Sequence, residues 1–194
     1  MSAKIRLPAS IAFLLVMTVL TGVLYPLVVT GLAQALFPKK ANGSLLVIGG
    51  GVRGSTLLAQ KFESPGFFKA RPSASDYVWV GAGASNMALT NPDLATTVAK
   101  RRSEWAATFS GPAPADMLYA SASGLDPDIS LEAALAQVDS VAAARGMGAA
   151  AKDKLIAAIR AEAEANSGLL GPPRVNVVKL DAALLTDPTF ATPK

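Results

Sequence analysis

The 194-residue chain has no cysteine and no histidine. Without cysteine there are no disulfides, thiol nucleophiles or thiolate zinc sites, and cysteine usage says nothing about redox compartment. Without histidine the commonest general base and the commonest transition-metal ligand are missing. Ser-His-Asp and HExxH chemistry is therefore excluded, and an all-carboxylate or Ser-Lys site is the minimum left for catalysis. Charge is also sparse, at 16% of residues. The formal surplus of +4, from 18 Lys+Arg and 14 Asp+Glu, is local: Lys4, Arg6, Lys39 and Lys40 supply it all, and residues 41–194 balance to zero. A domain without a basic field is no nucleic-acid partner.

What the sequence does have is a long apolar run. The 32 residues between Arg6 and Lys39 carry no formal charge. About 20 such residues at a rise of about 1.5 Å span the hydrocarbon core of a bilayer. The excess length predicts tilt or a kink, and Pro26, which cannot donate to the helical ladder, marks the kink. Gly22 and Gly31 leave points of close approach for another helix, and Thr18, Thr21 and Thr30 can return their hydroxyls to backbone carbonyls. The competing reading is a cleaved signal, with Lys4 and Arg6 as its basic region and Ala33-Gln34-Ala35 as its cleavage site. Signal cores run about 7–15 residues, so length favours a retained anchor. The short N-terminal tail sets orientation, which predicts residues 1–6 inside, a membrane helix over 7–37, and 38–194 outside.

After the anchor, residues 44–49 (SLLVIG) predict a strand closed by Gly49-Gly50-Gly51. Residues 54–62 suit a strand or a short helix, and 77–80 a strand within a long irregular stretch. Asn91-Pro92 predicts a helix start, with Leu94, Val98 and Trp105 on one face. Asp128-Ile129-Ser130 predicts a second helix, with Leu131, Leu135, Val138 and Val141 forming its stripe and Gly146 ending it. A third runs over about 150–166, stopped by Asn166-Ser167-Gly168. Residues 174–180 (RVNVVKL) are the strongest strand candidate. Strands at both ends with about three helices between them predict an α+β domain on a small sheet.

The motifs are mostly structural. Residues 49–56 (GGGVRGST) satisfy G-x-G-x-x-G but lack the P-loop lysine, and Ser64-Pro65-Gly66 stops any following helix. A hairpin turn outweighs a phosphate cradle there, and a nucleotide module over 49–60 is the lesser alternative. Residues 67–73 (FFKARPS) read as an amphipathic loop on the core, with Arg71 holding carbonyls or an acid. Asp126, Asp128 and Ser130 read as a turn feeding an N-cap, since no calcium-loop spacing is present; Gly54 is likewise a turn residue. Lys100-Arg101-Arg102 reads as a solvated helix face or a contact with anionic lipid. No catalytic or metal-ligating residue is assigned, and no intrinsic cofactor.

Several segments in order resemble the KdpC family, a component of the Kdp-type potassium-transporting P-type ATPase. They are residues 20–38 (LTGVLYPLVVTGLAQALFP) leading into 41–45 (ANGSL), 52–55 (VRGS) with Gln60 and Phe62, and Phe68 with 71–74 (RPSA). Ser85-Asn86, Thr90-Asn91-Pro92, 120–127 (ASASGLDP), Val141-Ala142, Ala144-Arg145 and 174–177 (RVNV) complete the match. The resemblance implies a non-catalytic accessory subunit of a high-affinity potassium uptake complex in the bacterial plasma (inner) membrane. Its partners would be a P-type subunit that hydrolyses ATP and a potassium-channel-like subunit that carries K⁺. It further implies assembly of the complex and a catalytic-chaperone role that raises ATP affinity, with a glutamine that maps to Gln60. With residues 41–194 outside, Gln60 reaches no cytoplasmic ATP, so the topology read from the anchor makes any such effect indirect. Gly22, Tyr25, Pro26 and Gly31 on the anchor, and Arg71, Asn86 and Asn91 on the domain, are the implied partner-facing residues. Asp128 and Leu131 stand where many relatives carry His and Pro, and residues 87–89 (MAL) also depart from the usual run. The alternative from another class is a solitary membrane-tethered external enzyme or binding protein.

Overall fold

The computed structural model describes residues 8–166 and 171–190. The expectations for the tail of residues 1–6, with Lys4 and Arg6, for Leu7, and for Ser167-Gly168 as a helix stop lie outside the described residues. The chain divides into two compact units, with the boundary between Leu45 and Leu46.

The first unit is dominated by one apolar helix running from Ala9 to Leu36, none of whose residues is buried. It comprises α1 (Ala9–Val19), a π-helical turn (Leu20–Leu24) and α2 (Tyr25–Leu36). Its length of about 42 Å exceeds the roughly 30 Å of a hydrocarbon core. The π turn falls directly before Pro26. A proline ring there removes a donor and crowds the carbonyl of residue 22, and a widened turn relieves both. Thr21 Oγ1 donates to Met17 O at 2.7 Å. Phe37 leaves the helical region at φ −139°, as a residue before proline tends to, and α3 (Pro38–Ala41) follows. Asn42 then exchanges hydrogen bonds with Gln34 at 3.2 Å and donates to Pro38 O at 2.7 Å, closing that turn.

At the boundary between the units the chain enters a hairpin of β1 (Leu45–Ile48) and β2 (Gly51–Ser55), all of it but Leu45 in the second unit. Gly49 and Gly50 both have positive φ, at 62° and 81°, which is what a tight two-residue hairpin turn demands. An irregular stretch then leads to α4 (Pro92–Thr108), whose first turn Asn91 caps by accepting from Asp93 N at 2.8 Å. Val98 and Trp105 are buried on its inner face. A short α5 (Ala115–Leu118) leads to β3 (Asp128–Ser130), α6 (Leu131–Ala144), α7 (Ala149–Ala165), β4 (Arg174–Asn176) and α8 (Val177–Thr186). A 3₁₀ turn, Pro188–Phe190, ends the described chain.

The α+β class with a small amount of sheet holds, but the strands form two separate two-stranded ribbons. β3 and β4 pair antiparallel, with Ile129 opposite Val175, and both side chains are fully buried. α6 and α7 pack over them, joined by a Schellman stop in which Gly146 takes φ 63° and Met147 N donates to Ala142 O at 2.9 Å.

Three local expectations are corrected. Residues 174–180 are strand only to Asn176, whose side chain accepts from Lys179 N at 3.1 Å and starts α8. From there Val177, Val178, Leu180, Asp181 and Leu184 are buried at helical spacing. Residues 77–80 are turns and bends, because Asp76 and Tyr77 take left-handed backbone that no strand accommodates. Residues 54–62 form neither a full strand nor a helix: β2 ends at Ser55, whose Oγ accepts from Leu57 N and turns the chain.

Candidate functional site

The glycine-rich stretch that carries the nucleotide-like pattern is the hairpin turn and β2, with no helix following it directly. Gln60 folds back on that strand, donating from Nε2 to Arg53 O at 2.9 Å. A Cβ on Gly54 would collide with the Gln60 amide, so glycine at 54 makes this approach possible. Between hairpin and α8 lies a recess of about 370 Å³, lined by Leu46, Ile48, Phe62, Val178 and Leu185, with Arg53, Gln60 and Asp181 as its polar lining. Its walls are mainly apolar, as in small-molecule sites generally.

Adjoining the recess at Phe62 runs a segment, residues 62–70, gripped by three buried polar side chains that sequence reasoning missed. Gln137, 0% exposed on α6, accepts from Lys69 N at 2.7 Å and donates to Lys69 O at 3.1 Å, replacing a strand partner for that residue. Arg145, at the end of α6, donates from Nε to Gly66 O at 2.7 Å and from Nη1 to Leu184 O and Phe190 O at 3.0 Å each. Its guanidinium also lies 4.9 Å from the Phe67 ring centre. Asp181, 1% exposed, accepts from Phe68 N at 2.9 Å through Oδ1, while Oδ2 has no hydrogen-bond partner. Burial pushes its carboxyl up to about 7, against the pull of the Phe68 N–H, Arg145 and Lys69. Burial likewise lowers the pKa of Lys69, whose ammonium donates to the carbonyls of Phe62 and Ser64. One signal was available for Gln137: it falls among Ala133, Ala134, Val138 and Val141, on the apolar stripe of its helix.

The polar turn at 124–130 is a second structured cluster. Arg71 Nη1 lies 3.0 Å from Asp126 Oδ2, and Asp126 Oδ1 accepts from Asp128 N at 3.0 Å. Ser130, not Asp128, caps α6: its Oγ accepts from Ala133 N at 3.1 Å. Asp128 instead accepts from Asn176 Nδ2 at 3.0 Å, and that amide also donates to Thr56 O at 2.9 Å. Burial raises the Asp128 pKa, opposed first by the Asn176 hydrogen bond. These carboxylates are therefore engaged in tying β3, β4 and neighbouring loops together. Among the described residues no group of three or more metal-ligating side chains gathers.

The remaining residues singled out by sequence lie apart from this cluster. Asn86 is exposed at φ 52°. On the apolar helix Tyr25 is 67% exposed, and the Cβ positions of Gly22 and Gly31 face open space. Lys100 faces Glu104 at 3.8 Å, while Arg101 Nη1 donates to Leu118 O at 2.8 Å.

Comparison with known proteins gives a consistent result over nearly the full length. The family model described as KdpC, the c chain of K⁺-transporting ATPase, matches residues 7–186. A protein of Geobacter sulfurreducens named potassium-transporting ATPase KdpC subunit is 47% identical over 186 residues, covering 93% of this chain and 97% of the relative. Proteins of the same name from Pseudomonas syringae pv. tomato and Pseudomonas aeruginosa are 47% and 43% identical. These alignments cover 95% and 92% of this chain, and 94% and 96% of the two relatives.

Proposed function

Because the chain belongs to the KdpC family of K⁺-transporting ATPase components, we propose that it is the non-catalytic accessory subunit of an ATP-driven potassium uptake complex. It assembles and stabilises that complex in the bacterial plasma membrane. Its partners are the P-type subunit that hydrolyses ATP and the channel-like subunit that carries K⁺. One observation supports this most: a 28-residue apolar helix with no buried residue precedes a separate folded unit. A helix apolar on all sides needs lipid or other helices around it, and Gly22 and Gly31 offer contact points for the latter.

The N-terminus lies inside and the domain outside, on the potassium-entry side. ATP is held by the hydrolysing partner, and the chain acts on ATP affinity through its contacts with other subunits. The Gln60 amide, engaged with Arg53 O, supports a structural part for that residue. Deleting residues 1–38 is expected to leave a folded soluble domain that no longer co-purifies with the pump; unchanged co-purification would overturn the role of the anchor. Protease added to spheroplasts is expected to digest the domain, and a protected domain would reverse the orientation.

A further inference from the structure

Within the second unit, residues 73–74, residues 84–85 with Met87, and the first half of α4 close round a cavity of about 480 Å³. Arg101 is the only charged side chain on its wall among the described residues. We infer that this cavity is a binding site for a small organic carboxylate, with Arg101 receiving the carboxylate and Met87 and Leu94 covering an apolar body. The site is built from the second unit alone and does not depend on the subunit reading.

Charge favours an anion. In the Lys100-Arg101-Arg102 run, Arg101 alone is half-buried, and its Nη1 donates to Leu118 O at 2.8 Å. A guanidinium carries about five N–H donors, and this bond uses one. Burial lowers the Arg101 pKa, opposed by Tyr77 and then Glu104. No carboxylate among the described residues comes within ion-pair distance of it, and Glu104 faces Lys100 at 3.8 Å. By contrast Arg71 is paired with Asp126, and Lys61 with Asp76. A half-buried cation without a counter-ion, on an otherwise uncharged wall, favours an anionic occupant. One arginine matches the single charge of a carboxylate, whereas a phosphate monoester brings about −1.5 to −2.

The hydroxyls on the wall point the same way. Ser73 Oγ accepts from Tyr77 N at 2.9 Å and from Ser75 N at 3.2 Å. Those bonds fill its lone pairs and leave its O–H to donate, to Ser75 Oγ at 3.2 Å or to a ligand. Thr96 returns its hydroxyl to Pro92 O at 3.0 Å, whereas Thr97, on the cavity wall, makes no such bond. Ser85 is likewise uncommitted among the described residues. Hydroxyls and a guanidinium suit carboxylate oxygens, which only accept. The volume lies in the range of small-molecule sites and exceeds what an inorganic anion fills. Met87 and Leu94 give the cavity an apolar side, so its occupant carries an apolar body beside the charge.

The test titrates the full-length chain in lipid nanodiscs with N-acetylleucine and its uncharged analogue N-acetylleucinamide, followed by saturation-transfer NMR. N-acetylleucine is expected to bind, and the amide to bind at least about tenfold more weakly, through loss of a charge-assisted contact. Arg101→Gln, which can still donate to Leu118 O, is expected to abolish that preference with an unchanged unfolding midpoint. Equal binding of acid and amide, no binding of either, tighter binding of inorganic phosphate, or a preference that survives Arg101→Gln would each overturn the inference. If Arg101→Gln fails to fold, the double change Ser85→Ala and Thr97→Val decides in its place. A weakening of at least about threefold then supports the site, and anything less overturns it. A short peptide ending in leucine separates two sources of the carboxylate. Binding as tight as that of N-acetylleucine means that a peptide C-terminus fills the site, and binding of N-acetylleucine alone means a free small molecule; both keep the carboxylate site.

Discussion

Asp181→Asn is expected to stabilise the domain strongly at pH 8 and far less at pH 5. The wild-type carboxyl is buried beside the Phe68 amide, and burial raises its pKa from 3.8 to about 7. An unfolded chain loses this proton near pH 4, while the folded chain keeps it until about pH 7. Across that window the folded state binds more protons than the unfolded state, so stability falls as pH rises. The full loss is on the order of 4 kcal/mol, at about 1.4 kcal/mol per pH unit. Asparagine keeps an oxygen for the Phe68 N–H and cannot ionise, so it removes this slope. Asp128, also raised by burial, is present in both proteins and cancels in the difference. Urea midpoints from pH 5 to 8 check this: wild type should decline relative to the variant, and parallel profiles would contradict it.

Arg145→Met is expected to cost about 3–5 kcal/mol, because three carbonyl acceptors lose a charged donor at once and a buried acceptor left unsatisfied costs about 1–3 kcal/mol. The guanidinium serves Gly66 O, Leu184 O and Phe190 O at once, joining the 62–70 segment to α8 and the final 3₁₀ turn. Methionine fills much of the volume but leaves those carbonyls without their donor. Arg145→Lys should recover less than half of the loss, because one ammonium cannot reproduce the fork that meets acceptors in different directions. Hydrogen exchange should show residues 66–69 losing protection first. Uniform loss across the domain would mean that Arg145 supports the whole core and not this segment.

Much of the fold was legible because the signals were local. Asn91-Pro92 and Ser130 mark helix starts through side chains that reach their own helix. Gly49-Gly50 marks the hairpin because two successive left-handed residues suit glycine. Residues 174–180 misled because β-branched residues suit a buried helix as well as a strand, and the Asn176 cap decided between them. The polar grip on residues 62–70 was not legible for a different reason. Gln137 and Asp181 meet partners 68 and 113 positions away, and no local pattern announces such a pairing. A polar residue inside an apolar stripe was the one available hint. The apolar helix needed no tertiary information at all, since a long charge-free run is enough to predict it.

The central claim, that this chain works as an anchored subunit, is tested most directly by affinity purification of the tagged full-length protein. The source should be its native membrane under potassium limitation, with mass spectrometry of what is recovered. The expected result is a P-type ATPase and a potassium-channel-like protein in fixed ratio to the tagged chain. Recovery of the chain alone, stable and without either partner, would contradict it.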